Sequence, residues 1–190
     1  MTFACSALTE ADVRGKTVIE AGAFDVNGSV RPHVEALGPA SYVATDMRTG
    51  PGVDLVCAAE DLPAQFTRAD AGTLYRERFD VVISTEMLEH AKDWQAAMRG
   101  MISVMRDGGL LVLTARSEGF PVHGYPEDHW RFSVGAFGGI LAAAGLEIER
   151  LEPDPDPQSP GVFARARKPR GWSWPEGAGR AWGKVQVTRP

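Results

Sequence analysis

Short apolar, β-branched runs alternate with helix-length segments through most of the chain, and this alternation restricts the fold more than any other feature. The runs are Lys16–Ala21 (KTVIEA), Ser41–Met47 (SYVATDM), Val53–Ala58 (VDLVCA), Phe79–Thr85 (FDVVIST) and Leu110–Ala115 (LLVLTA). Each has the length and residue types of a buried strand. Helix signals lie between them. Ser29–Gly38 carries Pro32 where first-turn amides have no intrahelical partner, and Gly38 as a stop. Residues 59–78 read as a helix or a loose crossover. Asp93 is a good N-cap for the clearest helix, whose Trp94, Met98, Met101, Ile102 and Met105 share one face; Arg106–Gly109 ends it. Ser133 caps another helix that stops at Gly145 and buries Phe137, Ile140, Leu141 and Ala144. Parallel pairing requires such long crossovers, and helices then cover both faces of the sheet.

The last two runs break the pattern. Leu146–Glu152 and Gly161–Lys168 alternate apolar and polar residues and are separated only by PDPDPQSP. No crossover helix fits there, so these strands must pair antiparallel. The predicted fold is therefore α/β: a Rossmann-like, doubly wound, mostly parallel sheet ending in an antiparallel β-hairpin. It occupies residues 1–168. Residues 169–190 read as a basic C-terminal extension that holds three of the five tryptophans, Trp172, Trp174 and Trp182.

Composition excludes several functional classes. The hydrophobic fraction of 44% and charged fraction of 24% are those of a soluble globular chain. No apolar run approaches the length of a membrane span, and the N-terminus has no signal-peptide pattern. Cys5 and Cys57 lack metal-ligand spacing, so a cytoplasmic setting is expected. Residues 165–190 carry seven Lys/Arg against one acidic residue, and the rest of the chain is strongly acidic. An acidic body is a poor partner for phosphate backbones, so no nucleic-acid substrate is expected.

Ligands of such sheets bind beyond the carboxyl ends of the strands, where strand order reverses. The segment VIEAGAFDVNGSV (Val18–Val30) leads there. Gly22 lets a ligand approach the backbone, and Gly28 permits a turn into the helix. Asp46 ends the second strand, where a carboxylate can accept from both ribose hydroxyls. A dinucleotide site needs a tighter glycine pattern; here Phe24 and Asp25 intrude, and Asp25 repels a pyrophosphate. A cofactor with a cationic centre and no phosphate fits better. S-adenosylmethionine is such a cofactor, and Glu20 and Asp25 could face its charged end.

These residues resemble those of the class I S-adenosylmethionine-dependent methyltransferases, in particular the type 11-like group, over Lys16–Lys168. VIEAGAFDVNGSV looks like the first family motif, YVATDM the second, CAAEDLP the adenine loop, FDVVISTEMLEH the fourth and RDGGLLVLTAR the strand-five motif. The resemblance implies cofactor contacts from Glu20, Gly22, Phe24, Asp46, Met47, Ala59, Glu60, Ser84 and Glu86. Two departures stand out. Phe24 and Val26 occupy positions where relatives often have glycine, and Ala58 stands where an Asp or Asn commonly meets the adenine.

The stretch RSEGFPVHGYPEDHWRFS (Arg116–Ser133) follows strand five and overhangs the same edge. A long loop of this kind is usually functional. It reads as a substrate lid. Tyr125, Trp130 and Arg131 are its candidate contacts to a small-molecule acceptor, and His123, His129 and His90 are the candidate proton acceptors for an O- or N-methyl transfer to a sugar or natural product. Coordination of a cation by His123, Asp128 and His129 matches no strong spacing, and no metal is expected. Two other readings stay open: a nicotinamide-linked oxidoreductase on the same fold, and a silent cofactor-binding module.

Overall fold

The computed structural model describes residues 2–66, 68–70, 73–75, 79–124 and 127–190. Two short helices, α1 (Thr2–Ser6) and α2 (Glu10–Val13), lead into β1 (Thr17–Ala21). Then come α3 (Arg31–Ala36), β2 (Ser41–Asp46), β3 (Leu55–Val56), a 3-10 turn over Ala59–Asp61 and α4 (Leu62–Phe66). A small antiparallel pair, β4 (Arg68–Asp70) and β5 (Thr73–Tyr75), precedes β6 (Phe79–Thr85). A second 3-10 turn (Leu88–His90), α5 (Trp94–Val104), β7 (Met105–Arg116), α6 (Val134–Ala143), β8 (Glu147–Pro153), β9 (Gly161–Arg167) and α7 (Ala178–Trp182) complete the chain.

Seven strands form one sheet in the order β3-β2-β1-β6-β7-β9-β8. The pairs from β3 to β7 are parallel, and β9 pairs antiparallel with both β7 and β8. The strand order reverses between β1 and β6, so the ligand crevice of this fold class opens above those two tips.

The period of two divides each strand between two cores. Ile19, Val82, Leu111 and Leu113 pack with Met98, Met101 and Ile102 of α5 and Phe137 of α6. Their neighbours Val18, Val81, Ile83 and Val112 pack on the other face with Phe3, Val13 and Val34. Both faces are covered, which is why these strands read as continuous apolar runs. The caps behave as predicted: Asp93 Oδ1 accepts from Ala96 N (2.9 Å), and Ser133 Oγ accepts from Ala136 N (3.1 Å). Gly100 allows α5 to lie directly on the first 3-10 turn, since a Cβ there would sit 1.9 Å from Ala59 O.

Two strands differ from their predicted extents. β3 keeps only two paired residues, because Asp54 turns its carboxylate to Ala44 N (2.9 Å) and to Arg31. β7 starts five residues earlier than Leu110, taking in Arg106–Gly109, with the backbones of Gly108 and Gly109 bonded to Lys168. The hairpin carries its charges in ladders: Glu149 receives Arg165 (2.6 Å) and Arg167 (2.5 Å), and Arg150 reaches Glu152 (2.7 Å).

The segment after Lys168 folds back over α6. Trp182 is 1% exposed and donates its indole N–H to Ile140 O (2.8 Å). Trp172 donates to Ala144 O (2.9 Å), and its ring lies 4.5 Å from the buried Lys168 ammonium. The chain then reaches the segment between β7 and α6, where Arg131 and Thr188 exchange backbone hydrogen bonds. Among the described residues, no helix is long and apolar enough to cross a membrane.

Candidate active site

The loop after β1 is tied to β2. Gly22 N and Ala23 N both donate to Thr45 O (2.8 and 2.9 Å). Gly22 has φ +80°, and a Cβ there would lie 2.3 Å from Met87 Cγ, so no other residue fits this contact. Asp25 accepts from Gly28 N (2.8 Å) and thereby turns the chain toward α3. The loop after β2 closes over this one through Asp25 N and Pro51 O (2.9 Å). Phe24 lies against Gly50, where a Cβ would be 2.2 Å from its ring, and beneath the Arg48 guanidinium. The bulky residue at a family glycine position is thus matched by a glycine on the facing loop.

Asp46 sits at the tip of β2, half-buried. Its Oδ1 accepts from Arg48 N (3.0 Å) and its Oδ2 from Phe24 N (3.4 Å). A carboxylate offers about four acceptor positions, so room remains for two further donors. Beside it Met47 and Val56 are 58% and 55% exposed, an apolar shelf at the tips of β2 and β3. Ala59 is buried and Glu60 exposed at the start of the 3-10 turn. Ser84, at the end of β6, is buried with no hydrogen-bond partner for its Oγ among the described residues. An acceptor beside an exposed apolar shelf, with an orphaned hydroxyl across the crevice, fits an adenosyl group.

Glu20 lies one residue before the end of β1. It is buried, and its carboxylate receives the Tyr42 hydroxyl with the Arg31 cation nearby. β1 places its carboxylate against Tyr42, and its expected contact with a cofactor's charged end stands as a proposal. Burial raises its pKa, partly offset by Tyr42 and Arg31, to about 7. A raised folded-state value favours the protonated form. The associated stability is complete below pH ~4.5 and is lost as pH rises through 7. Glu20→Gln keeps an acceptor for Tyr42 and does not titrate. Between pH 4.5 and 8 the wild type should lose on the order of 2–3 kcal/mol relative to this variant, read by urea unfolding at each pH. Parallel curves for the two proteins would refute the assignment.

Beyond β6 the chain strains. Glu86 has φ +53°, the one non-glycine residue in the left-handed region among those described. Its amide donates to Thr114 O (3.2 Å) and Thr114 Oγ1 (3.1 Å), and its carboxylate pairs with Arg116. Such strain persists where surrounding structure over-determines it, often at functional sites. Three residues on, Glu89 is 0% exposed, and neither carboxylate oxygen meets a hydrogen-bond partner from another described residue. Burial, and then the neighbouring Glu86, push its pKa well above the usual range.

The Arg116–Ser133 segment lies across this strip. His129 N and Trp130 N donate to Glu89 O (2.9 and 3.2 Å), and the Trp130 indole donates to Ala91 O (2.9 Å). Arg131, predicted to face a substrate, is instead buried inside the segment: it grips both Asp128 oxygens (2.5 and 2.7 Å) and the carbonyls of Phe120 and Pro121. Burial alone would raise Asp128, but Arg131 brings its pKa down to about 2. Trp130 likewise anchors the loop, with Arg189 over its ring. Tyr125 lies outside the described residues.

Two of the three histidines meet. The His90 and His123 rings are edge-to-face at 4.8 Å. His90 Nδ1 donates to Glu127 O (2.6 Å), and burial, opposed by that bond, lowers its pKa. His123 is 35% exposed and holds Nδ1 3.0 Å from Asp128 Oδ2. His129 pairs with Glu127 (3.1 Å). The set His123, Asp128 and His129 is therefore not a ligand cluster, since Asp128 serves Arg131 and His129 serves Glu127. Glu89 is a candidate that the motifs do not single out; its spacing of three from Glu86, in EMLEH, is the signal that points to it.

A family model described as "Methyltransferase domain" matches residues 7–151. Among curated proteins, none matches the chain in sequence. Among solved structures, the chain is similar to 1,6-didemethyltoxoflavin-N1-methyltransferase from Burkholderia thailandensis, determined with 1,6-didemethyltoxoflavin and S-adenosylhomocysteine bound (TM-score 0.63, 16% identity, 82% of this chain and 72% of that one). It is also similar to an S-adenosylmethionine-dependent methyltransferase from Mesorhizobium loti (0.59, 17%, 87% and 96%). A third match is the N-methyltransferase NodS from Bradyrhizobium japonicum (0.59, 17%, 88% and 93%).

Proposed function

The chain belongs to the S-adenosylmethionine-dependent class I methyltransferases, and on that premise we propose that it methylates an oxygen or nitrogen of a small polar acceptor, a sugar or natural product, held under the Arg116–Ser133 segment. The observation that carries this reading is the pinning of that segment over the Glu86–His90 strip, with the His123 ring at its rim. The bound cofactor supplies a methyl group already activated by the sulfonium charge. The protein's share is alignment, exclusion of water and removal of a proton.

Each task has candidate residues. Asp46 accepts from the ribose, Met47 and Val56 flank the adenine, and Ala59 and Glu60 border it. Ser84 and the Gly22 backbone line the crevice, and Glu86, fixed by Arg116, shapes its acceptor end. His123 takes the acceptor's proton. The acidic body favours a small molecule over nucleic acid, and the free thiols Cys5 and Cys57 suit the reducing cytoplasm, where we place the reaction.

The test uses methyl-labelled S-adenosylmethionine with a panel of hydroxylated and amino-bearing small molecules. Label should appear in one acceptor class, and His123→Ala should lower turnover by about 10²–10⁴-fold with S-adenosylhomocysteine binding intact. Label appearing only in RNA or protein would overturn the small-molecule reading.

A further inference from the structure

We infer that Glu89, His90 and His123 form a binding site for one divalent transition-metal ion at the acceptor face of the crevice. The inference rests on the acceptor face proposed above and deepens it: His123 acts through a bound cation instead of taking the proton unaided.

The geometry is a carboxylate and two imidazoles whose ligand atoms all lie within 4.8 Å of one another. A tetrahedral ion with bonds near 2.0–2.1 Å wants its ligands about 3.4 Å apart. Binding therefore requires the three groups to draw closer together, and the His123 side chain is partly exposed. Glu89 supplies the independent sign. It is wholly buried beside another carboxylate, and neither of its oxygens is met by a donor from another described residue. Buried polar groups normally have partners, and buried carboxylates are paired or bound to metal.

The outer contact of His90 is that of a metal-binding histidine. A ligating histidine usually directs its other ring nitrogen to a carbonyl or carboxylate, which fixes tautomer and orientation. His90 Nδ1 donates to the Glu127 carbonyl (2.6 Å), so Nε2 carries the lone pair. His123 Nδ1 lies 3.0 Å from Asp128 Oδ2 without hydrogen-bond geometry, its backbone N–H donates to that oxygen (2.9 Å), and Asp128 is in turn clamped by Arg131. The buried Arg131–Asp128 pair therefore sets the position of a ligand, a use for those residues that substrate contact does not supply.

Two imidazoles and one carboxylate suit zinc-class ions and disfavour magnesium or calcium, which take oxygen ligands. Three protein ligands leave a coordination position open, as in catalytic zinc sites. Here it faces the acceptor, whose hydroxyl or amine the ion would hold and polarise.

The experiment uses the full chain without an affinity tag, stripped with chelator and dialysed. Co²⁺ is titrated while its visible absorption is followed, and Zn²⁺ binding is measured by calorimetry. The expected result is saturable binding of one ion per chain. Outer partners alone are worth about 10–100-fold in metal affinity, so Glu89→Gln and His123→Ala should each weaken binding by about 100-fold or more. His33→Ala, distant in α3, should leave it unchanged. His123→Ala alters a partly exposed ring and keeps the test usable if Glu89→Gln fails to fold. No saturable binding, or binding in both ligand variants as tight as in the wild type, would overturn the site. S-adenosylhomocysteine affinity and methyl transfer measured on the same samples separate the two proposals: metal binding without transfer refutes the acceptor reading, and transfer that survives chelation refutes the metal.

Discussion

Trp182→Ala should cost about 3–5 kcal/mol of unfolding free energy, the usual range for removing a large aromatic side chain from a core. The ring is enclosed by Trp94 at 5.8 Å and Trp174 at 5.7 Å, with the Arg99 guanidinium over it at 5.2 Å. Its N–H also donates to Ile140 O at the end of α6, which keeps Ala144 N (3.1 Å) as a second donor, so truncation leaves chiefly a cavity. Chemical denaturation measures the loss, and in a chain of this size each kcal/mol lowers Tm by about 2–4 °C. Trp182→Phe, which retains most of the apolar contact, should lose about 1–2 kcal/mol. A loss below ~1 kcal/mol for Trp182→Ala would mean that residues 169–190 are a separable extension, as composition alone suggests, and not part of the domain's core.

Asp46→Ala should weaken S-adenosylhomocysteine binding by about 3 kcal/mol or more, at least ~100-fold in Kd. Two ribose hydroxyls donating to one carboxylate are each worth about 1.5–3 kcal/mol. The variant also deprives Phe24 N and Arg48 N of their acceptor, so part of the effect would come through the loops that shape the crevice. Asp46→Asn separates the two contributions, since it retains an acceptor oxygen without the charge; it should lose about half as much. Calorimetry decides. An unchanged Kd in Asp46→Ala would show that this carboxylate does not hold the cofactor.

Much of the fold was legible because its determinants are local. Strand and helix lengths, the caps at Asp93 and Ser133, and the absence of a crossover between β8 and β9 depend on neighbours in sequence. β3 was overestimated because a remote contact, Asp54 to Arg31 and Ala44, competes with the ladder. The candidate site divides in the same way. Asp46 and Gly22 follow from strand-end position. Glu20 and Arg131 carry the residue types of ligand contacts, and only tertiary placement shows that Tyr42 and Asp128 engage them within the fold. The spacing in EMLEH suggests Glu89, but only tertiary placement shows that its carboxylate meets no donor from another described residue and that His123, more than thirty residues later, returns to its side.

The hairpin ladders bear on how the molecule behaves in crowded solution. An outermost strand with free amides and carbonyls is a template on which another copy can add a strand. One border of this sheet is β3, with only two paired residues to offer. The other is β8, where Glu147, Glu149, Arg150 and Glu152 are followed by Pro153. A copy docking there would bring like charges together and meet a residue with no amide to donate. Both borders thus discourage templated growth, so a variant that neutralises Glu149 and Arg150 should turn a dispersed protein into one that precipitates on concentration.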